Sequence, residues 1–245
     1  MADQRVESSP QLVARIGGVL YLILIGAGIF IEAAVRDKLI VSGDAAVTAD
    51  NIMASQLVWR ISVAGELMAQ VCAVALALVF YVLLRPVSRN LALLALLFNL
   101  VSIAVEVANS LNLFAALFSL GSADYLKAFA PNQLHALSYL SLKSQGYGFG
   151  ISLVFFGCEC LVLGYLIFRS GYLPKILGVL MQIAGVCYLI NSFALFLSPA
   201  FENLIFPAVL VPSFIGESAL CLWLIVKGVN VAKWAERMTA ADQVG

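Results

Sequence analysis

Six stretches of this chain are each long and apolar enough to cross a bilayer: Leu12–Val35, Ile61–Leu84, Leu91–Phe118, Tyr147–Phe168, Ile176–Leu197 and Pro207–Val226. A helix needs about 20 mostly apolar residues to cover the hydrocarbon core, where every backbone amide must be satisfied within the segment. A transmembrane barrel would show alternating segments of about ten residues instead, and these runs are continuously apolar. The expected fold class is therefore all-α: a polytopic membrane protein, with a single six-helix bundle over 12–227 and short tails at 1–11 and 228–245. Composition agrees. Of 245 residues, 62% are hydrophobic and only 11% charged, against about a quarter charged in a soluble domain. The net charge is zero with no basic block, which leaves no electrostatic footprint for nucleic acid. The first run is too long for the apolar core of a signal peptide, and no A-x-A-like site follows it.

Lysine and arginine set the expected orientation. Arg5 precedes the first span and Arg15 lies in its first turn, Arg85 and Arg89 follow the second, Arg169 and Lys175 follow the fourth, and Lys227, Lys233 and Arg237 follow the sixth. The alternate side carries Arg36, Lys38, Arg60, Lys127 and Lys143, over longer loops. Both termini are thus expected in the cytoplasm. Tyr81–Arg85, Tyr165–Arg169 and Trp223–Lys227 each pair an aromatic ring with a cation four residues later, as headgroup anchors do.

The two long outer loops look structured. Asp44–Trp59 reads as a short helix capped by Asp44 or Thr48. Pro131–Gln145 reads as an amphipathic helix that starts on a proline and stops before Gly146. The five cysteines all fall inside spans with no CxxC, so neither a disulfide framework nor a thiolate metal site is implied. His135 is the single histidine. It is expected at the membrane interface, and a serine triad or a His-rich zinc site is hard to build from it.

Five glutamates fall within the expected spans: Glu32, Glu66, Glu106, Glu159 and Glu217. An acid near a helix centre costs about 2.5–3.5 kcal/mol on insertion, so intramembrane carboxyls mark functional sites by default. At 100° per residue, Asn99, Ser102, Glu106, Asn109 and Ser110 form a polar stripe on span three. Ser62, Glu66 and Gln70 share a face of span two, and Gly178, Gln182, Gly185 and Ser192 one of span five. Gly18, Tyr21, Gly28 and Glu32 share a side of span one. In span four Gly150, Gly157 and Gly164 recur every seven residues, while Glu159 lies on the far side; burying both requires partners on two sides.

With no lysine or arginine among them, clustered carboxyls cannot all carry charge, and several are expected to hold protons. The expected site is a carboxylate-lined cavity open to the outer side and roofed by the two loops. Its candidate ligand- or proton-binding residues are Glu66, Asn99, Glu106, Asn109, Glu159, Gln182 and Glu217, with Glu32, Tyr21, Gln70 and Asn191 secondary. No cofactor is expected, although a metal cation at the glutamates is compatible with the residue types. One faint repeat stands out: Glu159, Tyr165 and Arg169 match Glu217, Trp223 and Lys227 at identical offsets. Common anchoring needs suffice to explain it.

Several strings also carry a family signature: Arg15-Ile-Gly-Gly-Val-Leu-Tyr21, Gly43-Asp44-Ala45-Ala46, Gly164-Tyr165-Leu166-Ile167-Phe168-Arg169-Ser170-Gly171-Tyr172-Leu173-Pro174, Ile215-Gly216-Glu217 and Val226-Lys227-Gly228-Val229-Asn230. Over Arg15 to Asn230 the chain resembles the bacterial multi-pass membrane family catalogued as domain-of-unknown-function family 4386. The resemblance implies a multi-pass protein of a bacterial inner membrane and carries over no catalytic residue.

Three functions fit these observations. The first is a non-enzymatic transporter or ligand-binding protein for a small molecule, cation or proton. The second is an intramembrane enzyme that uses paired glutamates on a lipid-like substrate. The third is a structural or sensor subunit, in a homo-oligomer or membrane complex, whose polar faces only join helices.

Overall fold

The structure is a computed structural model, and it describes residues 9–242. Arg5, one of the expected basic rim residues, lies outside them. The described residues form helices throughout. α1 (Pro10–Phe30) runs without a break into a π-helical segment (Ile31–Arg36) and a closing turn, α2 (Asp37–Leu39). There follow α3 (Ala45–Ala54), α4 (Gln56–Leu84), α5 (Arg89–Ser119), α6 (Pro131–Ser170) and α7 (Lys175–Leu197). The last are α8 (Pro199–Ile205), α9 (Val211–Val226) and α10 (Val231–Asp242). Six helices have the length and apolarity to span a membrane: α1 with its continuation to Leu39, α4, α5, α6, α7, and α9 with the 3-10 turn before it.

These six close into a ring in chain order. Each packs on its neighbours in sequence, and α1 meets α9 to complete the circle. The ring's outer surface is covered by large apolar side chains such as Leu22, Ile23, Val71, Leu78, Leu111, Ile176 and Leu222. In water such cover would be a liability; in lipid it is the expected surface, and a bilayer is the setting it suits. With hydrocarbon outside, helix association relies on close packing and polar contacts. The α6–α7 seam shows this best. A Cβ on Gly164 would meet the backbone oxygen of Gly178, and one on Gly185 would meet that of Gly157. The glycine stripe of α6 thus lies on α7, while Glu159 on its other side reaches α5. Span four is contacted on two sides, as burial of both faces requires.

The two ends of the ring differ. At the basic end the chain ties itself shut. The Gln11 amide donates to the Lys227 carbonyl and accepts from the Val229 amide. The Tyr172 hydroxyl and the Trp234 indole N–H both donate to the Leu83 carbonyl, at 2.6 and 3.0 Å. This satisfies an oxygen that the last turn of α4 leaves without a helical partner. Burial pushes the Tyr172 phenol up, against an opposing pull from Arg237, so it stays a donor. At the other end α3 packs over α6. Asp44 caps α3 by accepting from the amides of Ala46 and Val47, and a small core forms around Ile52, Trp59, Val63, Leu113 and Leu142.

Two expectations are corrected here. The outer helix does not stop before Gly146; it continues into span four as one helix of 40 residues, because glycine only weakens a helix interior and packing on α5 and α3 offsets that cost. The side of span one predicted from Gly18, Tyr21, Gly28 and Glu32 also divides. Gly18 and Tyr21 are buried against α9 and α4, whereas Gly28 and Glu32 are exposed. The outer part of α1 has no helix packed over that face, and the wider π turn changes the angular step assumed for Glu32.

Candidate functional site

The ring encloses a chamber of about 170 Å³, and all six spanning helices contribute to its wall. Its polar groups are Tyr21 from α1, Asn99 from α5, Glu159 from α6 and Glu217 from α9, with the Cys160 thiol beside them. Leu24, Leu76, Phe80, Phe156, Leu163 and Met181 make it otherwise apolar. The polar side chains are held from behind. Asn99 Nδ2 donates to Glu159 Oε2 at 2.5 Å. The Tyr188 hydroxyl donates to Glu217 Oε1, and Tyr21 lines the chamber with the same carboxyl. Both rings are fixed by other aromatics, Tyr21 edge-on to Phe80 and Tyr188 tilted on Phe156.

Glu159 is 3% and Asn99 8% exposed, and Asn99 Oδ1 is buried with no partner. The chamber therefore presents acceptors: two carboxyls and an amide oxygen. Among the described residues no group of three or more His, Cys, Asp or Glu side chains is placed to share a metal ion.

Three of these residues share one level for a reason that the chain itself supplies. Asn99 is ten residues past Arg89, Glu159 ten before Arg169, and Glu217 ten before Lys227. At 1.5 Å per residue each lies about 15 Å from the basic end. That is half of a hydrocarbon core about 30 Å thick.

A second polar cluster lies toward the α3 end. Arg36, from the π-helical segment, donates to Glu66 Oε2 of α4 at 2.5 Å and to Glu32 Oε2 at 3.4 Å. The Arg36 and Glu66 side chains are only 16% and 11% exposed. Glu106 of α5 is buried, and its Oε2 has no partner. The expectation that no basic residue lies within the spans is therefore wrong for Arg36. The helix continues past Val35 to Leu39, and the guanidinium turns toward Glu66 because a carboxylate buried there needs a counter-charge.

The remaining candidates lie elsewhere. Asn109 sits over Gly148 and donates to the Gln145 carbonyl at 2.9 Å, joining α5 to α6. Gln182 packs against Gly164 at the α6–α7 seam. Gln70 is half-buried on α4, Asn191 is buried on α7 with Oδ1 unpartnered, and neither lines the chamber. Glu32 is exposed beside Arg36. Sequence reasoning missed Arg36 and Tyr188. The spacing of Glu32 and Arg36 by four residues was a usable signal for the first; a tyrosine in mid-span was the only signal for the second.

The family described as a domain of unknown function, DUF4386, matches residues 16–228. An uncharacterised protein of Archaeoglobus fulgidus is 32% identical over 173 residues, which cover 70% of this chain and 86% of that protein. No solved structure matches. The family match takes in all six spanning helices, and the chain, a multi-pass helical membrane protein, belongs to the DUF4386 family.

Proposed function

We propose that this protein is a non-enzymatic membrane protein that binds, and as a transporter carries, a small organic ammonium ion in the central chamber. The observation that carries this reading is the mismatch at the chamber wall. Glu159, Glu217 and the unpartnered Asn99 Oδ1 offer acceptors, and no lysine or arginine is among the lining residues. A buried acceptor left unpaired costs about 1–3 kcal/mol, so the fitting occupant brings N–H donors and positive charge. The apolar remainder of the wall suits short alkyl groups. An apolar cavity of about 150 Å³ admits benzene, so a chamber of 170 Å³ suits a ligand of that size and is small for a whole lipid. The basic end, by the positive-inside rule, is assigned to the cytoplasm, with the α3 end outside.

A second reading rests on Glu159 and Glu217 lining one chamber: paired carboxyls could serve as acid and base on a small substrate. One experiment addresses both. The purified protein in mild detergent is titrated with alkylammonium ions from methylammonium to tetramethylammonium at constant ionic strength, and thermal unfolding is followed. Saturable stabilisation is expected, about 2.7 kcal/mol at a hundred times Kd, and Glu159→Gln/Glu217→Gln should abolish it. A response no larger than that to sodium, or one kept in full by the double variant, sinks the ammonium reading. Chemical conversion of the added amine favours the enzyme.

A further inference from the structure

Helices α1 and α9 meet along a seam that is tight at the basic end and open farther out. A Cβ on Gly18 would stand 2.7 Å from the Ile225 amide nitrogen. The Cys221 thiol donates to the Gly18 carbonyl at 3.4 Å. The same helix faces continue, at steps of seven or eleven residues, to Ile25 and Ile29 on α1 and to Phe214 on α9. Ile25 is half-buried, whereas Ile29 and Phe214 are each 51% exposed. Gly28, two turns past Tyr21 on the same side of α1, is exposed as well, and a Cβ there would meet nothing within 4 Å. Gly28 and Phe214 stand at one height, thirteen residues past Arg15 and thirteen before Lys227, or about 20 Å from the basic end.

The chamber lies about 5 Å below that height. Two of its polar groups, Tyr21 and Glu217, come from the two helices that part. Of its carboxyls, Glu159 is buried, but Glu217 is only half-buried. The opening therefore leads to the more accessible of the two.

We propose that the gap between α1 and α9 is a lateral portal from the bilayer to the chamber. Its ligand is an amphiphilic ammonium ion, with the charged head at Glu217 and a single alkyl chain lying through the gap into lipid. This rests on the ammonium reading of the chamber and narrows the class of its ligand. A chamber of 170 Å³ is close to the size that admits benzene, so it takes a head group and leaves a long chain outside. The sides of the gap suit that chain: Ile29 and Phe214 are apolar, and glycine at 28 leaves room between them. A chain that leaves this way stays in hydrocarbon, out of water. One turn farther out Glu32 pairs with Arg36 at 3.4 Å and gives the portal a polar upper edge. The α3 end is built otherwise, with α3 packed on α6 over the core of Ile52, Trp59 and Leu113.

Calorimetric titration in phosphatidylglycerol nanodiscs at constant ionic strength tests this, with empty discs as the blank. The probes are tetramethylammonium and octyltrimethylammonium ions. Each methylene group kept from water strengthens binding about fourfold, so the octyl ion should bind at least about tenfold more tightly. Gly28→Trp fills the gap with a side chain. At equilibrium it should abolish the octyl advantage and leave tetramethylammonium binding unchanged. If tetramethylammonium binds and the octyl ion does not, or if the octyl ion keeps its full advantage in Gly28→Trp, the portal is overturned and the chamber reading stands. If neither ion binds the wild type, both fall together. Should Gly28→Trp fail to fold, Ile29→Trp places the ring at a position already exposed, and the same outcomes decide.

Discussion

The chamber and the Arg36 cluster use the same acidic side chain and balance it differently. In the chamber, Glu159 and Glu217 are held by neutral donors, the Asn99 amide and the Tyr188 hydroxyl. In the cluster, Glu66 is held by a guanidinium that the chain itself supplies. Neutral donors orient a carboxyl and leave its demand for positive charge open. A guanidinium satisfies that demand and leaves nothing for an external cation. The first arrangement therefore suits an exchanging occupant, and the second suits a fixed link between α4 and the end of the first span.

That contrast is broken most severely at Arg36. Arg36→Gln strands the Glu66 carboxylate among buried groups, and removing one partner of a buried pair costs about 3–5 kcal/mol. Thermal unfolding in detergent should show that loss, and Arg36→Gln/Glu66→Gln should recover most of it. An equal loss in the double variant would mean that Arg36 acts through packing alone. Next in size is Tyr188→Phe, which keeps the ring on Phe156 and removes the hydroxyl from Glu217. A lost hydrogen bond to a buried acid predicts about 1–3 kcal/mol, again by unfolding, together with weaker ammonium binding; unchanged binding would show that the ligand does not use Glu217. Glu32→Gln should be the mildest. Its side chain is 60% exposed at 3.4 Å from Arg36, and exposed pairs contribute well under about 1 kcal/mol. A loss comparable to that of Arg36→Gln would show that Glu32 belongs to the buried cluster.

How much of this could be read from sequence depends on which forces write locally. The spans were legible because crossing hydrocarbon demands length and apolarity within one segment, and the Asp44 cap because it acts on amides two and three residues away. The polar stripe of α5 was legible as an angle: Asn99 and Ser102 do bond across to α6, and Glu106 is buried. Arg36 was not, since an apolar window ends at the first cation, and nothing local says whether that cation turns outward or inward toward Glu66. Gln182 and Asn109 lay on the expected polar faces, yet one packs on Gly164 and the other bonds to the backbone at Gln145. Polarity alone does not separate a seam from a cavity. The matching offsets of Glu159 and Glu217 were visible, but only the closed ring, which brings α6 and α9 to one chamber, gives them a shared level.

That shared level has an electrical consequence. Moving one elementary charge across the full membrane is worth about 2.3 kcal/mol per 100 mV. An ammonium ion seated beside Asn99, Glu159 and Glu217 has crossed about half the hydrocarbon, so it gains or loses about 1.2 kcal/mol per 100 mV. Occupancy of the chamber would then change roughly sevenfold with that voltage. With an ammonium ion bound, the ten-residue spacing that ties each of these side chains to the basic end would make the chamber sensitive to membrane potential without any moving charged helix.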